Sequence, residues 1–281
     1  MTNSIKTVLL LGLLTGVLIY GGDLFLGRNG LYLGLAFAVA LNFSSYFFSD
    51  KIALATYHAQ QVTPEQNPDV YRRVAPIVEN LTRRMGLPMP KLYLIAEQSP
   101  NAFATGRNPS HASVAFTAGI LDLMTDQELE GVVAHELGHV LHRDILISSV
   151  AATLAGAIMF ASRMGFFFGG SRDDRDNEGG GIGALLMLIL APIAAFLIQM
   201  AISRSREYDA DAASAKYTGT PYELISGLQK LDIASKRLPM DATPSTAHLF
   251  IIKPRTGSWF QSLWSTHPAT ADRIRRLQEM R

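Results

Sequence analysis

Residues 135–139 read His135-Glu136-Leu137-Gly138-His139, two imidazoles four positions apart with a carboxylate beside the first. On a helix, positions four apart share a face, so the two rings can reach one metal ion with nitrogens at about 2.0–2.1 Å. Glu136 is turned about 100° away from that stripe and reaches a water held by the metal without binding the metal itself. A zinc ion lowers the pKa of such a water to about 7, and a neighbouring carboxylate takes the proton and later delivers it to a leaving amine. The predicted chemistry is hydrolysis of a peptide bond. The sequence has no cysteine, so any metal must rest on His and carboxylate ligands, and disulfides and iron–sulfur clusters are excluded.

A third ligand must come from elsewhere. His142 lies about 10 Å along the helix axis from His135, too far for both rings to share one small ion, and reads as an ordinary polar residue. A further histidine on the motif's own extension would need Gly at 142 and His at 145, where the sequence has His142 and Ile145. Glu207, in Ser-Arg-Ser-Arg-Glu-Tyr-Asp-Ala-Asp, is the better candidate. Asp211 lies four residues on, so one helical face offers a ligating carboxylate and an acceptor for a histidine N–H, that of His135. The competing reading of this segment is a charged helix end among lipid headgroups, which Arg204 and Arg206 suit.

The elements that must position these residues include lipid-facing helices. The 281 residues are 48% apolar and 17% charged, which excludes a disordered chain. The mean hydropathy is +0.16. A net charge of +1 gives no electrostatic case for nucleic acid as a partner. A membrane span needs about 18–20 apolar residues, and four uncharged runs meet or approach that length, giving spans at about 7–22, 29–49, 145–162 and 182–203. They pair into two hairpins. The predicted organisation is a transmembrane hairpin over 1–50, a first catalytic segment over 51–144, a second transmembrane hairpin over 145–203 and a second catalytic segment over 204–281. The second hairpin returns the chain to the side of His139, which brings Glu207 close. Lys6, Lys51, Arg143, Arg204 and Arg206 near the span ends favour a cytoplasmic active face.

Within the polar segments, Val70, Val74, Ile77 and Leu81 recur at helical spacing between Asn67-Pro68 and Gly86. Strands are predicted at 91–96 and 113–117, the second with a free edge to which an extended peptide could add. Thr125 and Glu128 stand at capping-box spacing at the head of the His-bearing helix, and Pro221 and Pro268 sit at the starts of two later helices. The fold class is α+β, mostly α.

The pattern His135-Glu136-Leu137-Gly138-His139, a membrane hairpin, then Glu207-Tyr208-Asp209-Ala210-Asp211 resembles the HtpX-type membrane zinc metalloproteases. Asn101-Ala102-Phe103-Ala104-Thr105-Gly106 resembles that family's strand-edge segment, and Ser265-Thr266-His267-Pro268 with Arg273 its C-terminal motif. The resemblance implies a gluzincin-like domain carrying one zinc ion per chain on His135, His139 and Glu207, with Glu136 as general base. It also implies an endopeptidase of the bacterial cytoplasmic (inner) membrane, with its active site on the cytoplasmic side and misfolded or damaged membrane proteins and peptides as substrates. Asn101 would lie along the substrate backbone, and His267 or Arg273 would stabilise the oxyanion. Read from residue type alone, Asn101 is equally a turn residue, His267 a packed residue before a helix and Arg273 a solvated one. Two rival functions remain: a CaaX-prenyl-type endopeptidase, which needs a larger helical chamber, and a membrane scaffold or chaperone stapled by zinc, which needs a fourth strong ligand.

Overall fold

The computed structural model describes residues 3–147, 150, 204–237 and 268–280. The predicted spans at 145–162 and 182–203 fall almost wholly outside the described residues, as does His267.

Helix α1 (Asn3–Thr56) is two helical arms joined where Gly27 leaves helical geometry at φ 61°, ψ −150°, a conformation open to a residue without Cβ. The arms lie side by side: Asn42 Nδ2 donates to Thr15 Oγ1 at 2.9 Å and to the Leu11 carbonyl at 3.4 Å. Gly34 faces Leu18 so closely that a Cβ there would lie 2.4 Å from the Leu18 oxygen. The second arm holds the one helix among the described residues long and apolar enough to cross a membrane, Gly27–Phe48. Its Tyr32, Leu33, Phe37, Val39, Phe43 and Phe48 side chains are exposed, an arrangement suited to hydrocarbon and costly in water.

A four-stranded sheet follows, in the order β1-β2-β4-β3. Strand β1 (Gln60–Gln61) runs antiparallel to β2 (Lys91–Ile95), β2 parallel to β4 (Ala112–Thr117), and β3 (Ala102–Gly106) antiparallel to β4. The expected free edge at 113–117 is therefore corrected. β4 is paired on both sides, and β3 ends the sheet. Composition hid β3, whose Ala-Phe-Ala-Thr-Gly run lacks the β-branched content of a strand signal. Side chains alternate across the sheet. Ile95, Phe103 and Ala115 pack with Leu54 at the end of α1, whereas Leu92, Ala102, Ala104, Val114 and Phe116 join the main core.

Helix α2 (Pro68–Met85) closes at Gly86 in the left-handed region, and α3 (Ala118–Leu123) leads into α4 (Asp126–Leu141), the histidine-bearing helix. Helices α5 (Arg204–Thr218), α6 (Tyr222–Arg237) and α7 (Thr270–Glu279) complete the described chain. The fold is a mostly helical α+β arrangement with α4 at its centre, touching α2, α5, α6 and β3. Its N-terminus is pinned by a capping box in which Thr125 and Glu128 bond each other's backbone N–H. The same Glu128 accepts from Ser226 Oγ and Lys230 Nζ, each at 2.6 Å, tying α6 to the cap.

Burial opposes ionisation of Glu128, yet the bonds from Lys230, Ser226 and Thr125 outweigh it and hold the carboxyl down at about 2, against 4.5. Its stabilisation is fully present above pH 4.5 and is lost as the pH falls toward 2. Glu128→Gln is expected to cost about 2 kcal/mol at neutral pH. In thermal unfolding the gap between variant and wild type should narrow steadily below pH 4.5.

Candidate metal centre

Helix α4 presents His135 and His139 on the side that faces α5, and α5 presents Glu207 and Asp211 back. The helices approach closely because the motif's fourth residue is glycine. A Cβ on Gly138 would lie 3.1 Å from both Ala210 Cα and Ala213 Cβ, tighter than packed side chains tolerate. Ser214 donates a buried hydrogen bond of 2.7 Å to the Gly131 carbonyl, two turns earlier on the same face of α4.

His135 Nε2 lies 3.8 Å from Glu207 Oε2, and His139 Nε2 lies 3.6 Å from Glu207 Oε1. Both are longer than a hydrogen bond. They are near the edge of about 3.4 Å expected between ligand atoms around a tetrahedral zinc with bonds of about 2.0–2.1 Å. His135, His139 and Glu207 form the one group of three among the described residues whose ligand atoms converge in this way, all within 4.8 Å of one another.

Each imidazole is oriented from behind. His135 Nδ1 faces Asp211 Oδ1 at 2.9 Å, and His139 Nδ1 faces Asp144 Oδ2 at 3.1 Å. A carboxylate on Nδ1 fixes the tautomer that leaves Nε2 as donor to a metal. Arg273, from α7, grips Asp211 with two bonds, Nε to Oδ2 at 2.9 Å and Nη2 to Oδ1 at 2.6 Å, and its Nη1 lies 3.7 Å from Glu207 Oε2. It is 1% exposed, so the solvated reading of this residue does not hold. Glu136 Oε2 accepts the Ala104 N–H of β3 at 2.9 Å, leaving Oε1 for other work. Asn101 lies at the head of β3, where its backbone N–H donates to Thr117 Oγ1 at 2.8 Å and its carbonyl accepts from Thr117. His142 is exposed at the end of α4, clear of the group.

Electrostatics favour a dication. Glu136, Asp144, Glu207 and Asp211 are all buried, with only Arg206 and Arg273 as buried counter-charges among the described residues. With neutral imidazoles, four carboxylates against two guanidinium groups leave two negative charges, a burden that a buried site sheds by taking up cations. Burial pushes the Glu136 carboxyl above its usual range, outweighing the lowering by both imidazoles and the Ala104 N–H. Burial also raises the cost of ionising Asp211, but Arg273 and His135 prevail and hold it at about 2. Burial disfavours charge on His139 as well, yet the Asp144 bond and the Glu207 and Glu136 charges lift it to about 9. A proton therefore competes with a metal for this ring.

Sequence reasoning gave Asp144 and Gly138 no role and read Arg206 as a headgroup contact. The structure buries Arg206 near Asp144 and Glu207, so it does not serve as an interfacial charge. A signal did exist for Asp144, an acid five residues after a candidate ligand at the start of an apolar run.

The family model described as Peptidase family M48 matches residues 68–281. A protein of Desulfatibacillum aliphaticivorans described as "Protease HtpX homolog" is 52% identical over 281 residues, covering 99% of this chain and 89% of that protein. One with the same description from Syntrophobacter fumaroxidans is 49% identical over 286 residues and covers 100% of both. Among solved structures, the "Crystal Structure of S. mikatae Ste24p" aligns with a TM-score of 0.55 at 19% identity, over 98% of this chain and 65% of that one, a likeness of fold.

Two substitutions test the packing and orientation of the centre. Gly138→Val is expected to push α5 away and weaken metal binding by at least tenfold, about 1.4 kcal/mol, as read by competition with a chromogenic chelator. Asp144→Asn keeps the shape but gives up the carboxylate behind His139, and a loss of about 10–100-fold in metal affinity is expected in the same assay.

Proposed function

The chain belongs to peptidase family M48 and is a metalloprotease, and from that premise we propose an integral-membrane zinc endopeptidase with His135, His139 and Glu207 as ligands and Glu136 as general base. One observation carries the assignment: two imidazole nitrogens and both oxygens of one carboxylate face each other at 3.6–3.8 Å, with His135 and Glu207 buried and His139 partly so. Two nitrogens and one carboxylate are the donor set of catalytic zinc sites that keep a fourth position open. Zinc held there would supply Lewis acidity, acidifying water and polarising a carbonyl.

The remaining steps belong to the chain. Glu136, its affinity for a proton raised by burial, receives that proton at Oε1 and passes it to the departing amine, while the Ala104 N–H steadies Oε2. Asp211 and Asp144 hold the rings, and Arg273 holds Asp211. Phe103 and Thr105 face β4 in an antiparallel ladder, so Ala102, Ala104 and Gly106 turn their backbone groups to the other side. With the Ala104 N–H engaged by Glu136, a peptide laid along that side would be recognised by the other outward backbone groups, with Asn101 at the head of the strand, which suits substrates of varied sequence. Misfolded or damaged membrane proteins are the proposed substrates, and the cytoplasmic face of a bacterial inner membrane the proposed location. The boundaries 1–50, 51–144, 145–203 and 204–281 are the proposed division of the chain, and His267 is proposed to approach the substrate. The exposed apolar helix Gly27–Phe48 supports the membrane placement.

Glu136→Gln tests the base. The purified variant should keep one zinc per chain by elemental analysis and cleave casein about 10²–10⁴-fold more slowly than wild type. Chelator should abolish wild-type cleavage and zinc restore it. Equal cleavage by both proteins would remove Glu136 from the mechanism.

A further inference from the structure

The height of the reacting centre above the end of the apolar helix can be read from two contacts. Arg107, in the turn after β3, lies over the Phe47 ring at 5.4 Å, one residue before the end of the span-length segment Gly27–Phe48. Phe103, inside β3, packs against Tyr57 at 5.8 Å between ring centroids, just beyond the end of α1. From Phe47 to Tyr57 the helix climbs about 15 Å at 1.5 Å per residue. From Arg107 back to Phe103 the strand covers about 13 Å at 3.3 Å per residue. The two rises nearly match, so β3 runs alongside the final turns of α1, with its Arg107 end at the level where the apolar segment stops. Lys51 Nζ over Phe48 at 5.4 Å, together with Tyr46 and Phe47, marks the same level, since cations and aromatic rings gather at the lipid–water boundary.

Ala104 carries the backbone bond to Glu136 and so lies at the level of the chemistry. It is three strand residues from Arg107, about 10 Å. We propose that this spacing makes the enzyme a juxtamembrane endopeptidase. Its preferred substrates are extended segments attached to a transmembrane helix, cut about three to eight residues from the point where the chain leaves the hydrocarbon. The inference rests on the membrane-protease reading above and adds the position of the cut relative to the substrate's own span.

The test uses the full-length enzyme in liposomes with two single-span substrates. In the first, an apolar helix runs directly into a flexible tail of casein-derived sequence. In the second, a rigid (EAAAK)-type helical spacer of about 30 Å separates span and tail. Casein added to the same vesicles reports basal activity. Mass spectrometry of the products should place the first substrate's cuts within about eight residues of the span, and the spacer should slow cleavage at least tenfold. Cuts spread evenly along the tail, with no effect of the spacer while casein is digested, would overturn the proposal and leave the protease reading intact. Failure to cut casein or either substrate would overturn the protease reading and the proposal with it.

Discussion

The structure turns on a surplus of buried negative charge. Four carboxylates lie within the contact of α4, α5 and the start of the segment after α4, countered by Arg206 and Arg273. Such an arrangement is expensive in a medium of low dielectric unless hydrogen bonds and cations answer each charge. Every neighbouring feature serves that end. Arg273 spans Asp211 with two bonds, Asp144 and Asp211 engage the two imidazoles, and the β3 backbone bonds Glu136. What remains is the space between His135, His139 and Glu207, where the proposed doubly charged ion would complete the balance.

That constraint explains why the fold is organised around α4. The helix must be held against α5 closely enough for Glu207 to face the imidazoles, and Gly138 permits it. It must also be held in register along its axis, and the Thr125–Glu128 cap with Ser226 and Lys230 from α6 does so at the opposite end. Arg73 braces the turn before α4, donating to the Asp126 carboxylate and to the Leu121 and Met124 carbonyls. The charged residues buried among those described are thus either part of the centre or, in Glu128, a clamp on the helix that carries it.

Much of this was legible in the sequence wherever the signal was local. Imidazoles four apart, the carboxylate between them, the capping box and the left-handed closure at Gly86 are statements about a single helix, and a single helix obeys periodicity. Glu207 and Asp211 were legible because they too share one helical face. Illegible parts depend on what another element brings. Asp144 and Arg206 sit where an apolar run begins or ends, so charge counting assigns them to a lipid boundary, whereas tertiary packing turns them inward. Strand β3 is built of small residues whose extended form is imposed by β4 and by Glu136 rather than by propensity. Gly138 carries no mark in one dimension that distinguishes a packing glycine from a spacer.

The order in which the charges arrive along the chain has a further consequence. Asp211 meets its guanidinium only through Arg273, which lies in the last described helix. A polypeptide still on the ribosome can expose both imidazoles and even Glu207 while lacking the group that neutralises Asp211. A product that stops before α7 lacks the guanidinium that pairs with Asp211, and its buried carboxylates are left with one counter-charge fewer.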